Sequence, residues 1–99
     1  MTESKLHKTV AKRIAEKYKS SYNPEKGADI QTKRLAIEVE TPENISDGIK
    51  QLQGYRKSVY IAGINKKAIE IALEKTKSTT IGVMNSNGNI LKRSKRSKS

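Results

Sequence analysis

Seven consecutive residues, Ser58-Val59-Tyr60-Ile61-Ala62-Gly63-Ile64, form an unbroken β-rich apolar run. A run of that kind reads as a strand buried on both faces, which requires helices above and below its sheet. The flanking sequence supplies them. Leu6, Val10, Ile14 and Tyr18, with Ala11 and Ala15 beside them, set an i, i+4 stripe that predicts a helix over 3–20. Thr41-Pro42-Glu43-Asn44 launches a second helix, capped by Asn44 or Ser46, whose buried stripe is Ile45, Ile49 and Leu52. Asn65 caps a third, running to about Lys77 on a stripe of Ala68, Ile69, Ala72, Leu73 and Thr76. Two strands, over 28–33 and 34–40 with Lys33-Arg34 at the turn, precede the apolar run. Another, over 79–84, follows it, and beyond the turn-forming Asn85-Ser86-Asn87-Gly88-Asn89 the pair Ile90-Leu91 suits a short edge strand. The order α-β-β-α-β-α-β defines an α/β fold, a mixed sheet flanked by helices. Ninety-nine residues without Phe or Trp suit one domain, over 1–91, with a core of Ile, Leu, Val and Ala.

The second strand also carries charge. Leu35, Ile37 and Val39 alternate with Ala36, Glu38 and Glu40, so both glutamates leave the same face, about 7 Å apart. Asp29 lies on or beside the neighbouring strand, and a hairpin through 30–37 brings the three acids together. Converging carboxylates repel unless a hard cation neutralises them. Alternating glutamates also occur on hairpins that carry no chemistry, and that reading stands beside the metal site.

Composition narrows the chemistry. Cysteine is absent, which excludes disulfides and thiolate sites, and a single histidine excludes zinc sites built from several. A metal here is therefore oxygen-ligated, which points to Mg²⁺ or Mn²⁺, and no small organic cofactor is implied. His7 lies on the first helix's stripe and reads as a packed histidine rather than a ligand or base. With no apolar run of membrane length and no export signal, the expectation is a cytoplasmic protein without membrane partners.

The formal net charge is +11. Residues 92–99 hold five of the cations (Lys92, Arg93, Lys95, Arg96 and Lys98) and nothing apolar, so they read as a disordered arm that contacts phosphates. Discounting those five leaves a body of about +6, still basic.

The acids carry a family resemblance. Asp29, followed by Glu38-Val39-Glu40, resembles the paired half-motifs of the PD-(D/E)xK nuclease superfamily, the restriction-endonuclease-like fold of archaeal Holliday-junction resolvases and RecB-type nucleases. Gln51-Leu52-Gln53-Gly54-Tyr55 resembles the Gln-x-x-x-Tyr motif of the RecB-type branch. On a continuous helix, Gln51 and Tyr55 share one flank of the buried stripe and reach toward the acids. Two departures are plain: Glu40 stands where the family has its Lys, and Ala28 where a Pro often precedes the Asp. The connection 21–27 is also short for the family, leaving Tyr22 to begin a stunted first strand, or the sheet to lack one.

The resemblance implies a metal-dependent DNA endonuclease. Asp29, Glu38 and the Val39 carbonyl would hold Mg²⁺ or Mn²⁺, with Glu40 a further ligand or a general base. Gln51 would orient water or phosphate, and Tyr55 would bond or stack beside it. Glu3, on the inward side of the first helix, is a candidate extra ligand. Lys33, Arg34 and Lys57 would ground the DNA backbone together with the basic arm. One domain offers one active site, so cutting both strands implies a homodimer. Two other classes compete: a catalytically inactive DNA-binding protein of the same fold, and a small basic interaction module whose acids only form surface ion pairs.

Overall fold

The computed structural model describes residues 5–23 and 27–96. Three helices, α1 (Lys5–Lys17), α2 (Ile45–Leu52) and α3 (Lys66–Lys75), pack on a five-stranded mixed sheet. Its strands are β1 (Ile30–Gln31), β2 (Leu35–Glu40), β3 (Ser58–Gly63), β4 (Gly82–Met84) and β5 (Ile90–Lys92), side by side in chain order. β1–β2 and β4–β5 are antiparallel hairpins; β2, β3 and β4 run parallel, joined through α2 and α3.

β3 is buried on both faces, as its sequence predicts. Tyr60 and Ala62 face α1 in a core with Val10, Ile14, Ile37, Val39 and Met84. Val59 and Ile61 face α2 and α3, in a second core with Ala36, Ile45, Leu52, Ala68, Ala72 and Val83. The central position follows from the absence of any charged side chain along the strand.

α1 is shorter than its periodicity suggests. Lys19 enters the left-handed region (φ 54°) and Ser20 N donates to Ala15 O at 2.8 Å, a close-out of the last turn. Leu6, read as part of the buried stripe, is 49% exposed. Asn65 caps α3 as predicted, its Oδ1 accepting from Ala68 N at 2.9 Å. Asn44 takes the N-cap position of α2 but donates instead to Thr41 Oγ1 through a short 3₁₀ turn, Pro42–Asn44.

Tyr22 makes one antiparallel bridge to Ile30, and Asn23 N donates to Asp29 O at 2.7 Å. Tyr22 contributes this single bridge and no strand of its own. β1 and β4 are also shorter than expected: Thr79 turns back on Thr76 O before β4 begins.

Residues 92–96, expected to open a disordered arm, are ordered. Lys92 belongs to β5. Ser94 Oγ donates to Thr80 O and accepts from Val59 N, while Lys95 N donates to Thr80 O. The Arg96 guanidinium donates to Leu52 O at 2.6 Å and Tyr55 O at 2.9 Å, supplying partners for carbonyls left over where α2 ends. Composition alone marks this stretch as unable to bury surface; hydrogen bonds to orphaned backbone groups hold it instead. Among the described residues no helix is long and apolar enough to cross a membrane.

Candidate functional site

β1 begins only at Ile30, opposite Ile37, so the second half of β2 lacks a strand on that side. Side chains take over. Asp29 Oδ2 accepts the Val39 N–H at 2.9 Å, and His7 Nε2, reaching down from α1, donates to the Val39 carbonyl at 2.5 Å. The same His7 nitrogen lies 3.6 Å from Asp29 Oδ2, and both side chains are nearly buried. Asp29 thus sits where the hairpin was expected to put it, and part of its role is to complete the sheet.

Glu38 and Glu40 leave β2 on the opposite face from Ile37 and Val39, beneath α2. Their parallel partners on β3 are Ile61 and Gly63. Glu38 is only 5% exposed, a buried acid on an otherwise apolar face. α2 approaches so closely here that a Cβ on Gly48 would lie 2.7 Å from Glu40 Cγ and 2.8 Å from Ile61 Cδ1. That contact accounts for a glycine in the middle of a helix, where it otherwise costs about 1 kcal/mol relative to Ala.

Burial and crowding change the charge state of these acids. Burial above all, then the charges of Asp29 and Glu40, push Glu38 from 4.5 up to about 9. A hydrogen bond from its protonated carboxyl to Asp29 acts in the same direction. Burial followed by Asp29 pushes Glu40 up to about 8, with Asp47 adding to the rise and His7 and a hydrogen bond from Glu38 opposing it. Near neutral pH, protons therefore hold the cluster together. Among the described residues no Lys or Arg forms an ion pair with any of the three acids. Nor do three His, Asp or Glu side chains among them aim at a common metal position; Glu38 instead hydrogen-bonds to Asp29 and to Glu40.

Tyr55 does not stand on α2 beside Gln51, as the motif spacing predicted. The helix ends at Leu52, and Tyr55 N bonds back to Leu52 O after a turn. From there its hydroxyl accepts the Ala28 N–H at 2.8 Å, fixing the backbone immediately before Asp29. Gly27 beside it has φ +66°, and a side chain there would collide with the Tyr55 hydroxyl. Tyr55 is thus a positioning residue for Asp29. Gln51 is exposed on α2, and its side chain makes no hydrogen bond among the described residues.

His7, read from the sequence as a packed histidine, is nearly buried, and its ring reaches Val39 O and Asp29. Glu3 and Lys98 lie outside the described residues. The Val39 carbonyl, a nominated ligand, is engaged by His7.

The nominated cations divide into two sets. Lys57 is tied to the β1–β2 hairpin through Thr32 O and Gln31 Oε1, with its ammonium 5.6 Å from the Tyr55 ring centre. Lys92 donates to Thr76 O and Oγ1 at the end of α3, and burial lowers its pKa. Together with Arg96, these serve the fold. Lys33, Arg34, Arg93 and Lys95 are exposed.

No family model, no curated protein and no solved structure matches this chain.

Proposed function

We propose that the chain is a metal-dependent DNA endonuclease built on a restriction-endonuclease-like core, with Asp29, Glu38 and Glu40 as its carboxylate centre. The observation that carries this reading is the cluster itself: three acids drawn together at the broken edge of a sheet, in a strongly basic protein, with no Lys or Arg paired to them among the described residues. The order of elements supports it too, a helix and a single bridge followed by a hairpin, a helix and a parallel strand.

The donor set is all oxygen, which fits Mg²⁺ or Mn²⁺. Such an ion, when bound, would lower the pKa of water and balance charge on a phosphate. The chain's own residues prepare for it. The Asp29 carboxylate accepts from Val39 N–H and its carbonyl from Asn23 N–H, while Tyr55 holds the preceding Ala28 N–H. Glu38 and Glu40 carry protons that must leave before they can act as ligands or as a base. Glu40 replaces the usual Lys, so positive charge at the phosphate has to come from elsewhere.

A second reading, DNA binding by the same fold without cleavage, is favoured by one observation: among the described residues no three His, Asp or Glu side chains are arranged to hold a metal ion. Supercoiled plasmid and branched DNA, incubated with Mg²⁺, Mn²⁺ or EDTA, separate the two. Metal-dependent cutting by wild type, lost in Asp29→Ala and Glu38→Ala, is the expected result. Identical traces from all three proteins, with DNA still shifted in a gel, would leave only the binding role.

A further inference from the structure

At the other end of β2 from the acids lies a groove of about 510 Å³, within the range of sites that hold small ligands. The β1–β2 turn forms one side with Lys33 and Arg34, and the chain after β5 contributes Arg93. No Asp or Glu lines it among the described residues, and none of the three cations has a side-chain hydrogen bond or ion pair there. They contrast with Lys57, Lys92 and Arg96, which the fold has already engaged.

Apolar surface lies between the cations. Leu35 and the Tyr18 ring face the groove, and Ile90, 41% exposed, stands beside them. The Tyr18 hydroxyl already donates to Gly88 O at 2.7 Å, so its ring carbons are what remains for a ligand. Cations around an apolar floor match a ligand with a charged backbone and flat apolar faces. Duplex DNA hides its base faces in the stack, whereas an unpaired strand exposes them.

We propose that this groove binds an unpaired nucleic-acid strand, with phosphates on Lys33, Arg34 and Arg93 and a base against Leu35, Ile90 and the Tyr18 ring. Leu35 opens β2, and Glu38 and Glu40 follow three and five residues later, about 10 and 17 Å further along the strand. The groove is therefore separate from the carboxyl cluster. The inference rests on the nucleic-acid part of the proposed function and not on its cleavage chemistry.

Fluorescence anisotropy in EDTA tests it, using the full chain, a labelled oligothymidine and a duplex of equal length. The variant Lys33→Ala/Arg34→Ala/Arg93→Ala is compared with Lys66→Ala/Lys67→Ala/Lys77→Ala, which removes equal charge from exposed positions on and just after α3. Ile90→Ser tests the floor at constant charge. The expected result is a loss of single-strand affinity of about tenfold or more in the groove variant only. Its log K against log salt slope should become shallower by about 2, at about 0.7 for each of three contacts. Ile90→Ser should weaken the strand and leave the duplex unchanged. Equal losses in the two triple variants, a duplex that depends equally on the groove, or a thymidine monophosphate that binds as tightly as the strand would each overturn the inference. Strand binding indifferent to the groove variant removes this proposal alone, whereas failure to bind any nucleic acid removes the proposed function with it.

Discussion

Replacing Glu38 by Gln should make the protein more stable at neutral pH, and by an amount that grows with pH. Folding lifts the Glu38 carboxyl from 4.5 to about 9, so the native state holds a proton that the unfolded chain releases. An acid raised in this way leaves stability intact below its unfolded pKa, and the penalty accumulates until pH passes the folded value. At about 1.4 kcal/mol per pKa unit, the loss between pH 5 and pH 8 comes to about 4 kcal/mol. For a domain whose whole stability is about 5–15 kcal/mol, that is a large share. The Gln amide can still donate toward Asp29 and accept from its backbone, but it has no proton to lose. Thermal unfolding at pH 5 and pH 8 without divalent metal provides the assay. The gap between variant and wild type should widen by about 15 °C or more from the lower to the higher pH. Comparing the two proteins cancels charge repulsion in the rest of this basic chain. Parallel melting temperatures across that range would refute the buried, proton-sharing arrangement of Glu38, Asp29 and Glu40.

Three further perturbations have expected outcomes. Tyr55→Phe keeps the ring but strands the Ala28 N–H, costing about 1–3 kcal/mol in chemical denaturation and speeding hydrogen exchange at the Ala28 amide. Arg96→Ala removes bonds to Leu52 O and Tyr55 O, and should lower stability by about 1–3 kcal/mol in urea melts. A solvated arm would show no such loss. Asn65→Ala removes the bond to Ala68 N and should cost about 1 kcal/mol, while Asn65→Asp should recover most of it.

Local patterns made much of this molecule legible. The apolar run at 58–64 identified the central strand because burial on both faces leaves no charged position. The alternation in Leu35–Glu40 placed Glu38 and Glu40 on one face, and Asn65 announced its helix through chemistry confined to three residues. What escaped the sequence depends on contacts between distant segments. His7 and Val39 are 32 residues apart, and nothing local says that β1 begins late enough to leave a carbonyl for the histidine. Arg96 bonds Leu52 and Tyr55 across more than 40 residues, so the composition of its neighbourhood suggested an arm where the fold has a strap. Tyr55 was drawn to the site by motif spacing on an unbroken helix. The helix breaks first, and the tyrosine reaches the site by another route, through Ala28. The proton content of the acids was equally hidden, because it depends on the close approach of α2 at Gly48.

Calorimetric titration of Mn²⁺ into the protein near pH 7, repeated in buffers of different ionisation enthalpy, tests the carboxylate centre most directly. With Glu38 raised to about 9 and Glu40 to about 8, a metal entering the cluster must expel their protons. Binding that releases about one to two protons per ion, and that disappears in Asp29→Ala, is the predicted result. An absence of binding heat, or binding that releases no protons and survives Asp29→Ala, would contradict it.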